Sequence, residues 1–206
     1  MATALIIDYG MGNLHSVRRA FEECGAEVLI SDDPKAIRKA THIVLPGVGA
    51  FHDGMTSLVQ SGWCEAVRRE SKKEGIPVLG ICLGMQLLAE AGDEGGEIKG
   101  LGLVPGRIEK MKPDSSRTRI PHVGWNEIYR TRENPLFEGI PDGTDFYFVH
   151  SYRFVPETQE IAIAMTPYCG EFASAVMHNN VFGVQFHPEK SQKYGFQVIK
   201  NFLARN

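Results

Sequence analysis

The segment 76–91 constrains the fold of this chain more than any other. Its first six residues form an apolar run, which is typical of a strand buried on both faces of a parallel sheet. The run ends in Gly80-Ile-Cys-Leu-Gly84, and residues 85–91 are mostly helix formers. A nucleophile between two glycines, where a strand turns into a helix, predicts a tight elbow that exposes the Cys82 side chain. The alternative is a structural cysteine buried at a strand end.

Strands and helices alternate through the first half of the sequence. Apolar runs predict three earlier strands, at 3–8, 26–30 and 42–45. Helical patterns are found at 10–24, 34–40, 55–60 and 63–73. This alternation predicts an α/β fold, with a doubly wound and mainly parallel central sheet and flanking helices.

The second half is richer in strands. Residues 92–102 and 112–119 are polar or glycine-rich and predict loops. Strand-like runs occur at 103–111, 122–129, 145–154, 160–166, 171–177 and 181–186, and a covering helix is predicted at 192–204. We therefore expect a smaller antiparallel β portion that returns to the main sheet. No linker or repeat marks a boundary, so a single domain over 1–206 is predicted.

Net charge, hydrophobic runs and cysteine spacing limit the partners and cofactors that we expect. The net charge of −3 gives no reason to expect nucleic acid or an anionic membrane as a partner. No apolar run is long enough to cross a bilayer, and the N-terminus lacks the basic region of a signal peptide, so we predict a cytoplasmic location. The four cysteines form no C-x-x-C pair, and no cluster has metal-ligand spacing. We expect no metal and no cofactor.

A base for the cysteine is predicted in His187-Pro-Glu189. These residues directly follow the apolar run 181–186, and functional groups gather at the carboxyl ends of parallel strands. In extended backbone His187 and Glu189 point the same way, so the carboxylate could orient the imidazole. With Cys82 they predict a nucleophile, base and orienting acid that meet in space. The alternative for His187-Pro-Glu189 is a surface turn.

The loop Pro46-Gly-Val-Gly49 follows the third predicted strand. Its glycines can adopt the backbone angles that turn N–H groups toward an anion. If this strand neighbours the elbow strand, one amide of the loop and the amide of Leu83 would form an oxyanion hole. The alternative is a plain turn.

Three of these segments resemble a known family. Gly47-Val-Gly49, Gly80-Ile-Cys-Leu-Gly-Met-Gln86 and His187-Pro-Glu189 are similar, in order and spacing, to the signatures of class I (triad) glutamine amidotransferases. Within that class the sequence resembles glutaminase subunits of imidazole glycerol phosphate synthases. The further segments that carry this resemblance are Asp8–Leu14, Pro46–Phe51, His122–Asn126, Tyr147–Tyr152 and His187–Ser191. The resemblance implies a flavodoxin-like sheet.

The resemblance also implies a reaction. Cys82 would attack the side-chain amide carbon of glutamine and form a thioester. His187, oriented by Glu189, would protonate the departing ammonia and then activate the water that releases glutamate.

Binding roles follow from the same resemblance. The amides of Val48 and Leu83 would hold the oxyanion, and Gly49 and Gln86 would bind the substrate. The alternative is that Gln86 is a solvated position on the helix with no role in binding.

The resemblance finally implies a partner. Ammonia would pass to a (β/α)8-barrel cyclase subunit bound as a heterodimer, and the loop Pro46–Phe51 would switch the glutaminase on when that partner binds its own ligand. The residues expected at the partner-facing rim are Asn13, Trp125, Tyr147 and Lys190.

Other functions stay open at this point. Gly10-Met-Gly12 after the first strand, with Asp32 and Asp33 after the second, partly matches a dinucleotide-binding pattern. However, His15 occupies the position where close helix–strand packing needs a small residue. A peptide or γ-glutamyl hydrolase, a glutaminase for another synthase and a non-catalytic interaction subunit are the remaining alternatives.

Overall fold

The structure is a computed structural model that describes residues 2–73, 75–116 and 118–205, with only the backbone described for 72 and 73. Position 117 of the predicted turn and the terminal residues of the predicted domain lie outside the described residues. Within the described chain, the strands join into one large sheet whose first half is parallel. No helix among these residues is long and apolar enough to cross a membrane.

The parallel half is built from the four strands predicted first. These are β1 (Thr3–Ile7), β2 (Glu27–Ser31), β3 (His42–Leu45) and β4 (Val78–Ile81). They lie in the order β2-β1-β3-β4. Both faces of this sheet are covered, because Leu5 packs into the core on one side and Ile6 into the core on the other. Burial on both faces explains why these strands are apolar throughout rather than alternating.

Helices cover the two faces as in a doubly wound fold. They are α1 (Leu14–Glu23), α2 (Phe51–Gln60), α3 (Trp63–Lys73), α4 (Leu83–Leu87) and α5 (Gln192–Leu203), with a 3-10 helix at Pro34–Lys39. Phe51 and Trp63 fill the core on one face. Phe21 of α1 and Phe202 of α5 meet edge to face on the other, with ring centroids 6.5 Å apart. The predicted α/β class is confirmed.

The second half adds antiparallel strands and returns to the parallel half. The strands are β5 (Ala91–Gly92), β6 (Ile98–Lys99), β7 (Gly106–Lys110), β8 (His122–Arg130), β9 (Thr144–His150), β10 (Tyr152–Pro156), β11 (Ala162–Thr166), β12 (Phe172–His178) and β13 (Val181–Val184). The last of them, β13, pairs in parallel with β4 and antiparallel with β12. It therefore places the segment that follows it beside Cys82.

Several elements differ from their predicted bounds. The helix predicted at 85–91 is the short α4, because the amides of Leu101 and Leu103 bind the carbonyls of Leu87 and Leu88. The loop predicted at 92–102 contains the small pairing of β5 with β6. The strand predicted at 145–154 breaks at Ser151, where the chain changes partners.

That break separates two pairings. Before it β9 pairs with β8, and after it β10 pairs with β7. Likewise, α1 starts at Leu14 with Asn13 as its N-cap, so Gly10 and Gly12 lie in the loop before the helix.

Candidate active site

Cys82 stands at the turn between β4 and α4 with a strained backbone. Its φ of 54° and ψ of −111° are values that residues other than glycine rarely adopt. Its amide donates to the carbonyl of Val184 at 2.9 Å, which continues the pairing of β4 with β13 past the end of the strand. The residue is only 6% exposed. Strain of this kind is typical of functional sites, where the surrounding structure must hold it in place.

The two glycines of the elbow are needed for close backbone contacts. A Cβ on Gly84 would lie 1.8 Å from the carbonyl oxygen of Leu45, and one on Gly80 would lie 2.7 Å from the carbonyl of Gly84. Backbone atoms cannot move aside as a flexible side chain does. This geometry agrees with the role predicted for the glycines from the sequence.

We expect Gly84→Ala to lower the free energy of unfolding by at least about 3 kcal/mol, because the new methyl group would collide with the β3 backbone. Gly54→Ala in α2 is the matched control. There the new Cβ meets only the side chains of Leu87 and Leu83, the nearest atom at 3.0 Å, and alanine favours helix by about 1 kcal/mol. Urea unfolding of both variants measures the difference, and equal stability would contradict the predicted clash.

His187 and Glu189 form a buried pair just after β13. The Nδ1 of His187 lies 2.7 Å from the Oε1 of Glu189, and the two side chains are 3% and 2% exposed. Burial lowers the pKa of His187, but the interactions with Cys82 and Glu189 outweigh it and raise the pKa to about 9. The imidazole is therefore protonated near neutral pH.

The backbone of this pair is held by hydrogen bonds to β9. The amide of His187 donates to the carbonyl of Tyr147 at 2.9 Å. The Ser191 hydroxyl donates to the carbonyl of His187 at 2.6 Å and accepts from the amide of Tyr147 at 3.0 Å. These contacts fix the direction in which the imidazole points, and no sequence pattern indicates this role for Ser191.

The structure brings the predicted nucleophile and base to the carboxyl ends of two adjacent strands. The Sγ of Cys82 lies 3.7 Å from the carbonyl oxygen of Val149 and 3.8 Å from the Nε2 of Gln185. The Nε2 of His187 is buried and makes no hydrogen bond with any described residue, yet Cys82 is close enough to raise the pKa of this imidazole. The nitrogen is thus free to exchange a proton with the sulfur or with a bound substrate.

A cavity of about 310 Å³ opens over the sulfur. Its walls come from the Pro46–Phe51 loop, the elbow and the break between β9 and β10. The lining residues are Val48, Gly49, Cys82, Leu83, Gln86, Glu94, Pro121, Val149, His150, Ser151 and Tyr152. His187 and Glu189 are not among them. The cavity includes five of the residues predicted from the sequence, and its size suits a small molecule such as an amino acid.

The amide of Leu83, predicted for the oxyanion hole, is already occupied. It donates to the carbonyl of Gly47 at 3.3 Å. The Gly47 loop is held close to the elbow, because the Tyr9 hydroxyl donates to the carbonyl of Pro46 at 2.8 Å. Val48 is 44% exposed at the cavity mouth, and Gly49 has a φ of 119° that favours glycine. In this arrangement a substrate oxygen could not reach the Leu83 amide.

Gln86 lies inside the cavity rather than on a solvated helix face. It is 5% exposed, and its Nε2 donates to the carbonyl of Tyr152 at 3.2 Å and to the Oε1 of Gln185 at 2.9 Å. Glu94, which sequence reasoning missed, adds a carboxylate whose Oε2 accepts from the amide of Phe51 at 2.7 Å. It lies in a glycine-rich acidic stretch that carries no positional signal.

Three of the four residues predicted at the partner rim lie together. Trp125 is 48% exposed, and its ring meets that of Tyr147 edge to face with centroids 6.0 Å apart. The Nζ of Lys190 lies 5.7 Å from the centroid of the Tyr147 ring. The centroid of that ring is itself 6.5 Å from the centroid of the His187 ring, so this patch borders the His187–Glu189 pair. Asn13 is exposed and caps α1, where its side chain accepts from the amide of Ser16.

Two buried histidines form a hydrogen-bonded chain beside the cavity. The Nδ1 of His122 lies 3.0 Å from the Nε2 of His150, and the Nδ1 of His150 lies 2.7 Å from the carbonyl of Tyr152. Because that carbonyl only accepts, the Nδ1 of His150 carries a proton and its Nε2 accepts from His122. Burial lowers the pKa of His122 to about 4 and that of His150 to about 3, so both are neutral.

We expect stability to fall as the pH drops from about 6.5 to about 4. In that window the unfolded chain binds protons at His122 and His150 that the folded chain does not, so each contributes up to about 1.4 kcal/mol per pH unit. His122→Asn should reduce the slope of unfolding free energy against pH by about that amount, whatever its effect on absolute stability. Urea unfolding between pH 5 and pH 7 measures it, and an unchanged slope would contradict the assignment.

Comparisons with known proteins find relatives that match nearly the whole chain. The model of the family "Glutamine amidotransferase class-I" matches residues 5–206. A protein of Moorella thermoacetica named "Imidazole glycerol phosphate synthase subunit HisH" is 49% identical over 202 residues, which cover 98% of this chain and 94% of that protein. A Geobacter sulfurreducens protein of the same name is 44% identical, with 98% of each chain covered.

A solved structure agrees on the fold. The structure of PurLQS from Thermotoga maritima matches with a TM-score of 0.72 at 21% identity, and 98% of each chain is covered. At that identity the likeness supports the arrangement of strands and helices, and the sequence relatives support the family.

Proposed function

This chain belongs to the glutamine amidotransferase class-I family, and on that premise we propose that it is the glutaminase subunit of an imidazole glycerol phosphate synthase. It hydrolyses glutamine to glutamate and ammonia and passes the ammonia to a cyclase subunit in histidine biosynthesis. The observation that carries the proposal is the strained cysteine of the elbow, which lines a small cavity and interacts with the buried His187–Glu189 pair.

The reaction follows from the three side chains. The sulfur of Cys82 attacks the amide carbon of the substrate, and the imidazolium of His187 protonates the departing ammonia. Water then attacks the thioester while the neutral His187 takes its proton, which releases glutamate and restores the thiolate of Cys82 beside the imidazolium of His187. Glu189 keeps the proton of His187 on Nδ1 and stabilises the charged ring. No step calls for a metal or a cofactor.

Polar groups in the cavity support one orientation of the substrate. Both N–H bonds of the Gln86 amide are used, so its oxygen is the free end and can accept from a bound cation. The Glu94 carboxylate also lines the cavity. We infer that Gln86 and Glu94 receive the α-ammonium group of glutamine, with the Gly49 backbone beside the α-carbon. This arrangement directs the side-chain amide toward Cys82.

The occupied Leu83 amide supports regulation by the partner. For catalysis the Gly47–Val48 peptide must rotate, so that the Gly47 carbonyl leaves Leu83 and the Val48 amide turns inward. We infer that the cyclase drives this change through the Pro46–Phe51 loop once it holds its own ligand. Ammonia is then produced only when an acceptor is ready.

We expect the isolated chain to hydrolyse glutamine slowly, and expect the cyclase with its phosphorylated ribulosyl ligand to raise the turnover number about 10²–10³-fold. That factor is the cost of one missing oxyanion-hole donor, and it is a lower limit because the rotation would free the Leu83 amide and also turn the Val48 amide inward. Glutamate release by the chain alone, with the cyclase, and with the cyclase and ligand gives the three rates. Equal rates would remove the need for a switch.

The partner assignment has its own support. We infer that the cyclase is a (β/α)8-barrel and that it docks against the patch of Trp125, Tyr147 and Lys190, with Asn13 as a further predicted contact. An exposed tryptophan that packs against a tyrosine beside the proposed triad suits an interface. A single domain over 1–206 and a cytoplasmic location remain predictions from the sequence.

One experiment tests the function as a whole. The chain is mixed with a candidate cyclase, glutamine and the ribulosyl ligand, and both glutamate and the phosphorylated imidazole product are measured. Formation of both in equal amounts supports the proposal. Glutamate without the imidazole product would favour a glutaminase that serves another synthase, and hydrolysis of γ-glutamyl peptides in its place would favour the hydrolase alternative.

A further inference from the structure

A buried glutamine beside the sulfur has no part in the chemistry described so far. Gln185 lies between β13 and His187 and is fully buried. Its Nε2 donates to the Sγ of Cys82 at 3.8 Å, and its Oε1 accepts from the Nε2 of Gln86 at 2.9 Å. Each end of one buried amide thus contacts a functional side chain.

The orientation of this amide is fixed by a backbone carbonyl. The oxygen of Tyr152 can only accept, so the Gln86 atom that faces it must be the nitrogen. That nitrogen also faces Gln185, so the Gln185 atom nearest to it must be the oxygen, which accepts the hydrogen bond. The NH2 group of Gln185 is therefore left on the side of the sulfur. Reversing the Gln86 amide would place two acceptors in contact, and reversing Gln185 would place two donors in contact.

Two polar groups besides His187 contact the sulfur, and they favour opposite protonation states. The Val149 carbonyl, 3.7 Å away, can only accept and favours the neutral S–H group. The amide of Gln185 donates, and a donor interacts more strongly with a negative sulfur than with a neutral one. The Val149 carbonyl alone would therefore oppose ionisation of the thiol, whereas the Gln185 amide favours it.

We propose that Gln185 stabilises the thiolate of Cys82 as a second donor, alongside the imidazolium of His187. This inference rests on the proposed role of Cys82 as the nucleophile. A primary amide suits the task because it stays neutral, so it donates at every pH, whereas His187 can give up its proton. Its oxygen in turn holds Gln86, so the same side chain ties the nucleophile to the substrate-binding amide.

The test is alkylation of Cys82 by iodoacetamide in the isolated chain, followed by peptide mass spectrometry. Burial raises the pKa of Cys24 to about 11 and also raises the pKa of Cys64 and Cys169, so these thiols react slowly and serve as internal references.

Two variants separate the effect of the Gln185 N–H donor from the effect of its side-chain shape. Gln185→Met keeps the length but has no donor, and should slow Cys82 alkylation at pH 7 about tenfold. Gln185→Glu keeps the shape and the acceptor for Gln86 but places an oxygen against the sulfur, and should slow it further. In both, the rate–pH curve should move to higher pH by about one unit or more. Gln197→Met is the matched control, because that amide binds Asn201 on α5, away from the sulfur.

The outcomes distinguish the possible roles. Slower alkylation at Cys82 alone, with the other three cysteines unchanged, supports the proposal. Faster alkylation at several cysteines would show that Gln185 only keeps the core closed, and unchanged rates in both variants would show that it is no donor. Either result overturns the proposal while glutamine hydrolysis by the wild-type complex would still uphold the glutaminase function. If the wild-type complex did not hydrolyse glutamine, the proposed glutaminase function would be wrong. The alkylation rates would still decide whether Gln185 stabilises the thiolate.

Discussion

Cys82→Ala is expected to lower glutamine hydrolysis by the complex with the cyclase by about 10⁴-fold or more. The variant lacks the atom that would form the thioester, and loss of the nucleophile from such a triad removes most of the acceleration. Alanine also fits the site, since the contacts of the thiol with the Val149 carbonyl and the Gln185 amide are long and weak, and the backbone strain at this position stays the same. Glutamate release with saturating partner and ligand measures the loss.

The expected loss is confined to glutamine as the nitrogen source. Synthesis of the imidazole product from added ammonium salts should continue at the wild-type rate, because the cyclase does not need the thiol for that reaction. Cys24→Ser is the matched control, because its hydroxyl can still donate to the carbonyl of Phe196 and it lies outside the cavity. Glutamine hydrolysis by Cys82→Ala above one per cent of the wild-type rate would rule out the proposed nucleophile.

The nucleophile and its base were accessible to sequence reasoning because each is marked by its neighbours. A Cβ at position 80 or 84 would lie under 3 Å from backbone atoms, so the elbow requires glycine at both positions. The glycine pattern therefore indicates the elbow directly. His187 follows an apolar run that pairs in parallel with the elbow strand, and the carboxyl ends of adjacent parallel strands meet. Local sequence and sheet topology therefore point to the same site.

Residues that act through long-range contacts are not marked by a sequence pattern. Gln185 and Glu94 reach the cavity through side chains, and neither has spacing that predicts its partner. The break at Ser151 was missed for a related reason. An apolar run shows that a segment is a strand, but the change of partner from β8 to β7 depends on pairing with strands distant along the chain.

The sequence does not predict whether the proposed oxyanion hole is formed. Glycines in the Pro46–Phe51 loop show that the backbone can rotate, but they do not decide which way the Gly47 carbonyl points. In the structure it accepts from the Leu83 amide, and that hydrogen bond must break before the peptide can rotate. Sequence can therefore locate the loop proposed as the switch, but it does not specify the direction of the peptide.

Glu189→Gln should lower the turnover number of the partner-bound enzyme by about 10⁴-fold. The carboxylate accepts the Nδ1 proton of His187, and an amide in its place can present N–H groups that favour the wrong tautomer. The pH dependence should change as well. Glu189 helps to raise the pKa of His187 to about 9, so without it the imidazole loses its proton at lower pH.

The residual activity of Glu189→Gln should therefore decline on the alkaline side at a lower pH than that of the wild type, whose decline is expected as the pH rises through about 9. Rate–pH profiles of glutamate release measure both effects. Glu65→Gln is the control, because its side chain is 83% exposed on α3 and its ion pair with Arg68 contributes little. Glu189→Asp keeps the charge but shortens its reach, so its loss should be smaller than that of Glu189→Gln. If the amide variant kept the wild-type rate and profile, the carboxylate would be a packing residue, and the protonation of His187 would have to depend on Cys82 alone.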